Sequence, residues 1–182
     1  MSKSLIEIFE QVKDPRRSQG LRITLPQIFC IITISNLCGH FGGRGIYRFA
    51  AANKEIFIKE LNLKHGIPSH VIFSDLLNRV NSSHLIKAFN KWASYYVPIK
   101  KGDLVSGDGK ALMSTVTNRN KSSQKFEAVV SVFSQKSGLV RAIAKYENSK
   151  ESEINIVTFL IENLKELGMT LHLDALHAQK KQ

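Results

Sequence analysis

The hydrophobic pattern changes period at Pro98, and this constrains the fold more than any other feature of the sequence. Before Pro98, apolar residues recur three and four apart, the spacing of helices that bury one face. After it come short runs rich in Val, Ile and Phe, bounded by turn residues, with one amphipathic helix among them. The pattern predicts an α+β or α/β chain of two domains: an all-α helical bundle over residues 1–97 and a mixed β-sheet domain over 98–182. With 182 residues the chain can bury a sizeable core in either arrangement.

The helices have readable ends. Ser4 and Glu7 form a capping-box pair ahead of Leu5, Ile8, Phe9 and Val12, and Asp14-Pro15 stops that helix. Thr24, Pro26 and Gln27 open a second helix that is apolar almost all round to Leu37 and ends at Gly39. It is the expected centre of the bundle. Gly42, Gly43 and Gly45 suggest a flexible turn around Arg44, and a third helix is expected over 46–61. After the turn at His65-Gly66-Ile67-Pro68, Ser69 is placed to cap a fourth helix that buries Phe73, Leu76, Leu77 and Val80. Ser82 or Ser83 would cap a fifth, with Leu85, Phe89, Trp92 and Tyr96 inward. A helix, a glycine-containing turn and a helix is also the helix-turn-helix arrangement, although most such pairs only pack.

Beyond Pro98 the expected order is strand, strand, strand, helix, strand. The strands are 104–107, 126–133, 139–146 and 170–173, with a hairpin loop at 134–138. Ser152 is the expected cap of the helix, Ile154, Val157, Leu160, Ile161, Leu164 and Leu167 its buried stripe, and Gly168 its stop.

Charge narrows the partners. The chain carries 26 basic and 15 acidic residues, a net charge of +11. Residues 1–100 hold 14 basic and 6 acidic side chains, so most of the excess lies in the first half. Such a balance is the footprint of a nucleic-acid binder, although basic proteins without that role are common. Arg16, Arg17, Arg22 and Arg44 are the candidate phosphate contacts of the first half. Lys110, Arg119 and Lys121 are those of the second. The apolar run 28–38 contains Thr33, Ser35 and Asn36 and is too short for a bilayer. No signal-peptide pattern opens the sequence, so no membrane association and a cytoplasmic location are expected. Cys30 and Cys38 read as buried free thiols.

Two aspartates, Asp108 and Asp174, stand at expected strand ends, separated by a hairpin and a crossover helix. In an α/β arrangement the first and last strands can lie parallel and adjacent, which presents both carboxylates at one edge. Neighbouring carboxylates repel unless a cation relieves them, so the pair suits divalent metal. Paired metals about 3.5–4 Å apart are the device of many phosphoryl-transfer enzymes. The plainer alternatives are a tight turn at Gly107-Asp108-Gly109 and a helix cap at Asp174. Gly107 to Lys110 is not a P-loop, because the G-x-x-x-x-G-K-[ST] frame is absent. His172 lies two residues from Asp174, on one face of a strand, and is a candidate adventitious ligand, although such a histidine is more often structural. Glu153 suits the first turn of its helix.

One ordered set of motifs spans the chain: Asp14-Pro15-Arg16-Arg17 with Gly20, Gly66-Ile67-Pro68-Ser69 with Phe73, Phe89 with Trp92, Asp108-Gly109-Lys110, Glu153-Ile154, and Asp174-Ala175 with Gln179-Lys180. In this it resembles the insertion-sequence transposases called H-repeat-associated proteins, DDE transposases with an RNase H-like catalytic domain. The resemblance implies that residues 98–182 form part of such a domain. It implies that Asp108 and Asp174 are the first two catalytic carboxylates and hold Mg²⁺ or Mn²⁺. It implies DNA as partner, both element terminal repeats and target, and is compatible with a homo-oligomer. The sequence departs from the pattern at Gly107, where a bulky aliphatic is usual, at Ser152, where asparagine is common, and at His177, where a small residue is usual. The third carboxylate of the family lies beyond Gln182, so the resemblance predicts little or no strand transfer by this chain alone. The alternative function is a non-catalytic DNA-binding remnant or regulator of transposition.

Overall fold

The computed structural model describes residues 4–18, 21–118, 124–150, 152–162 and 168–173. The chain divides into two compact units, residues 3–88 and 89–182. This boundary falls inside a helix, nine residues before the change of pattern at Pro98.

The first unit is helical. α1 (Leu5–Phe9) is capped by Ser4, whose Oγ accepts from the Glu7 amide at 3.3 Å. It ends at Phe9, well short of Asp14-Pro15, and Val12 is buried beyond its end. α2 (Leu25–Leu37) starts on the full capping box expected of Thr24 and Gln27. Ile28 and Ile31 are fully buried in it, and Phe29 meets Phe9 of α1 with ring centroids 5.1 Å apart. α2 is thus the apolar centre of this unit. Cys30 is buried and its thiol pKa is raised by desolvation, whereas Cys38 is exposed at the C-cap, contrary to the sequence expectation.

The three-glycine stretch is helix and not a flexible turn. α3 (Gly42–Ala52) begins within it, and the single helix expected over 46–61 is two, with α4 (Lys54–Leu61) starting after a break at Asn53. Position 43 has a tertiary constraint: an ideal Cβ on Gly43 would lie 2.7 Å from the His70 carbonyl and 3.0 Å from the Ser74 amide of α5 (His70–Arg79). Glycine lets the two helix backbones approach. Phe73 and Leu76 of α5 are fully buried, but Leu77 is exposed, against expectation. α6 (Ser82–Tyr96) is capped by Asn81, not by Ser82 or Ser83: the Asn81 Oδ1 accepts from the Ser83 amide at 2.9 Å. Ala88 and Ala93 are its buried residues, and Tyr96, expected inward, is exposed.

The second unit is built on a four-stranded sheet of order β3-β2-β1-β4: β1 (Leu104–Ala111), β2 (Glu127–Ser134), β3 (Val140–Glu147) and β4 (Thr170–Leu173). β1–β2 and β2–β3 are antiparallel, and β1–β4 is parallel. α7 (Glu153–Glu162) is the crossover, capped by the Ser152 Oγ, which accepts from the Asn155 amide at 3.3 Å. Val157 and Leu160 of α7 bury against Val105, Val130, Val132 and Ala142, with Ile156 added to the expected stripe. Leu164 and Leu167 lie outside the described residues. The start of β4 is pinned to the loop before β1: Gly168 accepts from the Gly102 amide at 2.8 Å, and the Thr170 amide donates to Asp103 at 2.9 Å. The chain is therefore α+β, a helical first half followed by a mixed sheet. Among the described residues, no single helix is long and apolar enough to cross a membrane.

Candidate functional site

β1 is twice as long as its apolar run suggests, and this relocates Asp108. The sequence places Asp108 just past a four-residue strand; the structure places it fifth in a strand of 8 residues. Gly107, Asp108 and Gly109 pair with Val132, Ser131 and Val130, so they form no tight turn. Alternation along β1 puts Val105 on the face covered by α7 and gives Ser106, Asp108 and Lys110 to the opposite face. Asp108 and Lys110 are exposed there. Ser106 is buried and its Oγ accepts from the Gln135 Nε2 at 2.5 Å.

β4 adds the neighbour that the metal reading needs. It runs parallel to β1, with His172 opposite Ser106 and Leu173 opposite Gly107. His172 is exposed and shares the face of Asp108. Asp174, Arg119, Lys121, Gly20, Ala175, His177, Gln179 and Lys180 lie outside the described residues. So does the side chain of Glu153, although its backbone opens α7. Among the described residues no group of three or more metal-ligating side chains stands together, and Asp108 makes no ion pair. An exposed, unpaired carboxylate beside an imidazole-bearing parallel strand is chemically suited to a divalent cation, with Lys110 the nearby cation on the same strand face.

The basic residues of the first unit separate into two kinds. Arg16 is committed to the fold: its guanidinium grips the Asp14 carboxylate in a fork at 2.7–3.2 Å and donates to the Ile23 carbonyl at 3.1 Å. Arg79 pairs with Asp75 at 3.0 Å and donates to the Pro15 carbonyl at 2.6 Å, tying the same loop to α5. Arg17, Arg22 and Arg44 are exposed. Arg16, Arg17 and Arg79 line an open cleft of about 600 Å³ together with Leu21, Val71, Ile72 and Asp75. Arg79 escaped sequence reasoning; its only signal was the i,i+4 spacing from Asp75 on a helix. α5, the second helix of the helix-turn-helix reading, exposes the apolar Val71, Ile72 and Leu77 alongside the polar Asp75, Asn78 and Arg79.

The Arg16 fork holds the Asp14 carboxyl below its ordinary pKa. A depressed folded value means the pair stabilises the fold above the unfolded carboxyl pKa, about 3.9, and loses that contribution as pH falls through the lower folded value. Arg16→Ala is therefore expected to cost about 1.5 kcal/mol at neutral pH, because a half-buried carboxylate loses a charged partner. Urea unfolding should show the variant's deficit shrinking below pH 4. A deficit that is flat with pH would leave the Ile23 hydrogen bond and the packing of the Arg16 side chain as its cause, and not the Asp14 pair.

Residues 6–93 match the family model described as DDE_Tnp_1-associated. This stretch is a transposase-associated region. It runs from α1 into α6 and stops before β1, so it carries the Asp14–Arg16 clamp and the exposed arginines but neither candidate carboxylate. No curated protein matches the chain. The transposase-associated region supports a transposase-related role for the protein.

Proposed function

We propose that the protein acts in DNA transposition as part of a DDE-type transposase of the H-repeat-associated kind. The observation that carries this reading is the transposase-associated region over residues 6–93. In this reading the sheet unit is a partial RNase H-like domain, and Asp108 and Asp174 hold Mg²⁺ or Mn²⁺. The parallel pairing of β1 with β4 up to Leu173 supports it, as does the exposed Asp108 carboxylate. A divalent ion at such a site supplies an activated water or 3′-hydroxyl and offsets charge at the reacting phosphate. The chain's own residues do the rest. Asp108 offers a carboxylate that no ion pair occupies among the described residues. Lys110, two residues on, neutralises a neighbouring phosphate. Arg17, Arg22 and Arg44 take backbone phosphates, while Arg16 holds the loop that presents Arg17.

The test is binding of the full chain to duplex DNA by fluorescence anisotropy between 50 and 200 mM salt. Affinity should fall steeply with salt, and Arg17→Ala, Arg22→Ala and Arg44→Ala should each lower the log–log slope by about 1. Asp108→Ala should leave binding intact. A slope indifferent to all three arginines would remove the DNA interface from the first unit.

A second reading is a DNA-binding regulator of transposition without catalysis; the matched region, residues 6–93, holds the exposed arginines that such a regulator would use. It predicts the same salt dependence with no binding of divalent cation at Asp108.

A further inference from the structure

We infer that His172 is an additional ligand at the Asp108 cation site and gives that site a preference for nitrogen-accepting ions such as Mn²⁺ over Mg²⁺. The inference rests on the metal reading of Asp108 above and deepens it. The parallel register sets His172 directly opposite Ser106, one strand spacing away, and Asp108 lies two residues further along β1 on the same face. Strand spacing of about 4.8 Å and a rise of about 3.3 Å per residue put the two Cα atoms about 8 Å apart. That is the span an imidazole and a carboxylate bridge when both bind one ion at about 2.0–2.2 Å.

Three features favour an ion over a structural histidine. The side chain of His172 is exposed, so burial does not account for it. The hydroxyl opposite, that of Ser106, is already engaged by Gln135 at 2.5 Å. Among the described residues, no hydrogen bond or ion pair to the imidazole competes with a metal. Lys110 stands on the far side of Asp108 from His172, so its charge opposes the ion from the end of the site away from the imidazole. Mg²⁺ demands oxygen ligands in near-ideal octahedral geometry, whereas Mn²⁺ and heavier divalent ions accept imidazole. A carboxylate–imidazole pair therefore shifts selectivity towards Mn²⁺.

The experiment titrates the full chain with Mn²⁺ and, in competition, Mg²⁺, read by water-proton relaxation, with electron spin echo spectroscopy of bound Mn²⁺ for nitrogen coupling. The wild-type protein should show coupling to a directly bound ¹⁴N. His172→Ala and His172→Gln should abolish that coupling. They should weaken Mn²⁺ at least about tenfold, the loss that even outer-shell partners of a metal cause, and move Mg²⁺ much less. Asp108→Ala should remove both ions. If Asp108→Ala loses Mn²⁺ while the wild type lacks nitrogen coupling and both His172 variants bind normally, the histidine ligand is wrong and the carboxylate site stands. If the wild type binds no Mn²⁺ at millimolar concentration, the carboxylate site and its histidine fall together.

Discussion

Gly43→Ala is expected to destabilise the helical unit by about 2 kcal/mol, even though alanine is the better helix former. Gly43 lies inside α3, where alanine normally gains about 0.5–1 kcal/mol over glycine. Against that stands the added methyl group. It would run into the Ser74 Oγ and sit 2.7 Å from the His70 carbonyl and 3.0 Å from the Ser74 amide. The hydroxyl can rotate away, but the carbonyl and amide are backbone of α5. One helix must move, and overpacking of this kind costs about 1–3 kcal/mol. At 2.7 Å from a backbone oxygen the upper end applies, so the loss exceeds the gain. The measurement is the urea midpoint of the full chain, with Gly45→Ala as control. The nearest atom to a Cβ at Gly45 is 3.6 Å away, and that variant should be neutral or slightly stabilised. Equal midpoints for the two variants would mean that α3 and α5 do not pack this closely.

Asn90→Ala should cost about 2–3 kcal/mol in the sheet unit and promote self-association. The Asn90 carboxamide acts as one rung of an extra strand: its Nδ2 donates to the Ile143 carbonyl at 2.9 Å and its Oδ1 accepts from the Ile143 amide at 2.8 Å. Ile143 is in β3, an edge of the sheet, and it opposes Ser131 of β2. Removing the carboxamide leaves two half-buried backbone groups unpaired, at about 1–3 kcal/mol each before water recovers part of the loss. It also opens a strand edge to pairing with a second copy. Asn90→Asp keeps shape and acceptor but loses the donor and sets a charge against the carbonyl, so it should be equally damaging. Unfolding midpoints and light scattering read both effects. A neutral Asn90→Asp would show that the Ile143 carbonyl is satisfied by water instead.

Much of the fold is legible because local chemistry and tertiary packing agree. The Thr24–Gln27 capping box, the apolar all-round α2, the Ser152 cap and the order of strands about α7 all follow from patterns within a few residues. Two of the misreadings share one cause: a local preference overruled by a neighbour distant in sequence. The glycines at 42, 43 and 45 read as a loop, but they lie in α3, and at Gly43 the α5 backbone comes close enough to leave no room for a side chain. Gly107-Asp108-Gly109 reads as a turn, and pairing to β2 makes it strand. Arg16 and Arg17 are adjacent and chemically alike. Only the fold shows that the first is consumed by Asp14 and Ile23 while the second is exposed. At the candidate site, the sequence marks the residue types at 108, 172 and 174, but register alone makes His172 a neighbour of Ser106 and puts it on the face of Asp108.

What the amino-acid order settled unaided is the division into helix-forming and strand-forming halves, the positive charge of the first half, and the helix ends that carry their own caps. Each depends on interactions spanning three or four residues, or on composition. What required the folded chain is which strand lies beside β1, which way Asp108 faces, and which arginines keep a free guanidinium. The first two depend on strand pairing between residues tens of positions apart, and the third on which nearby groups each guanidinium reaches once the loop is folded.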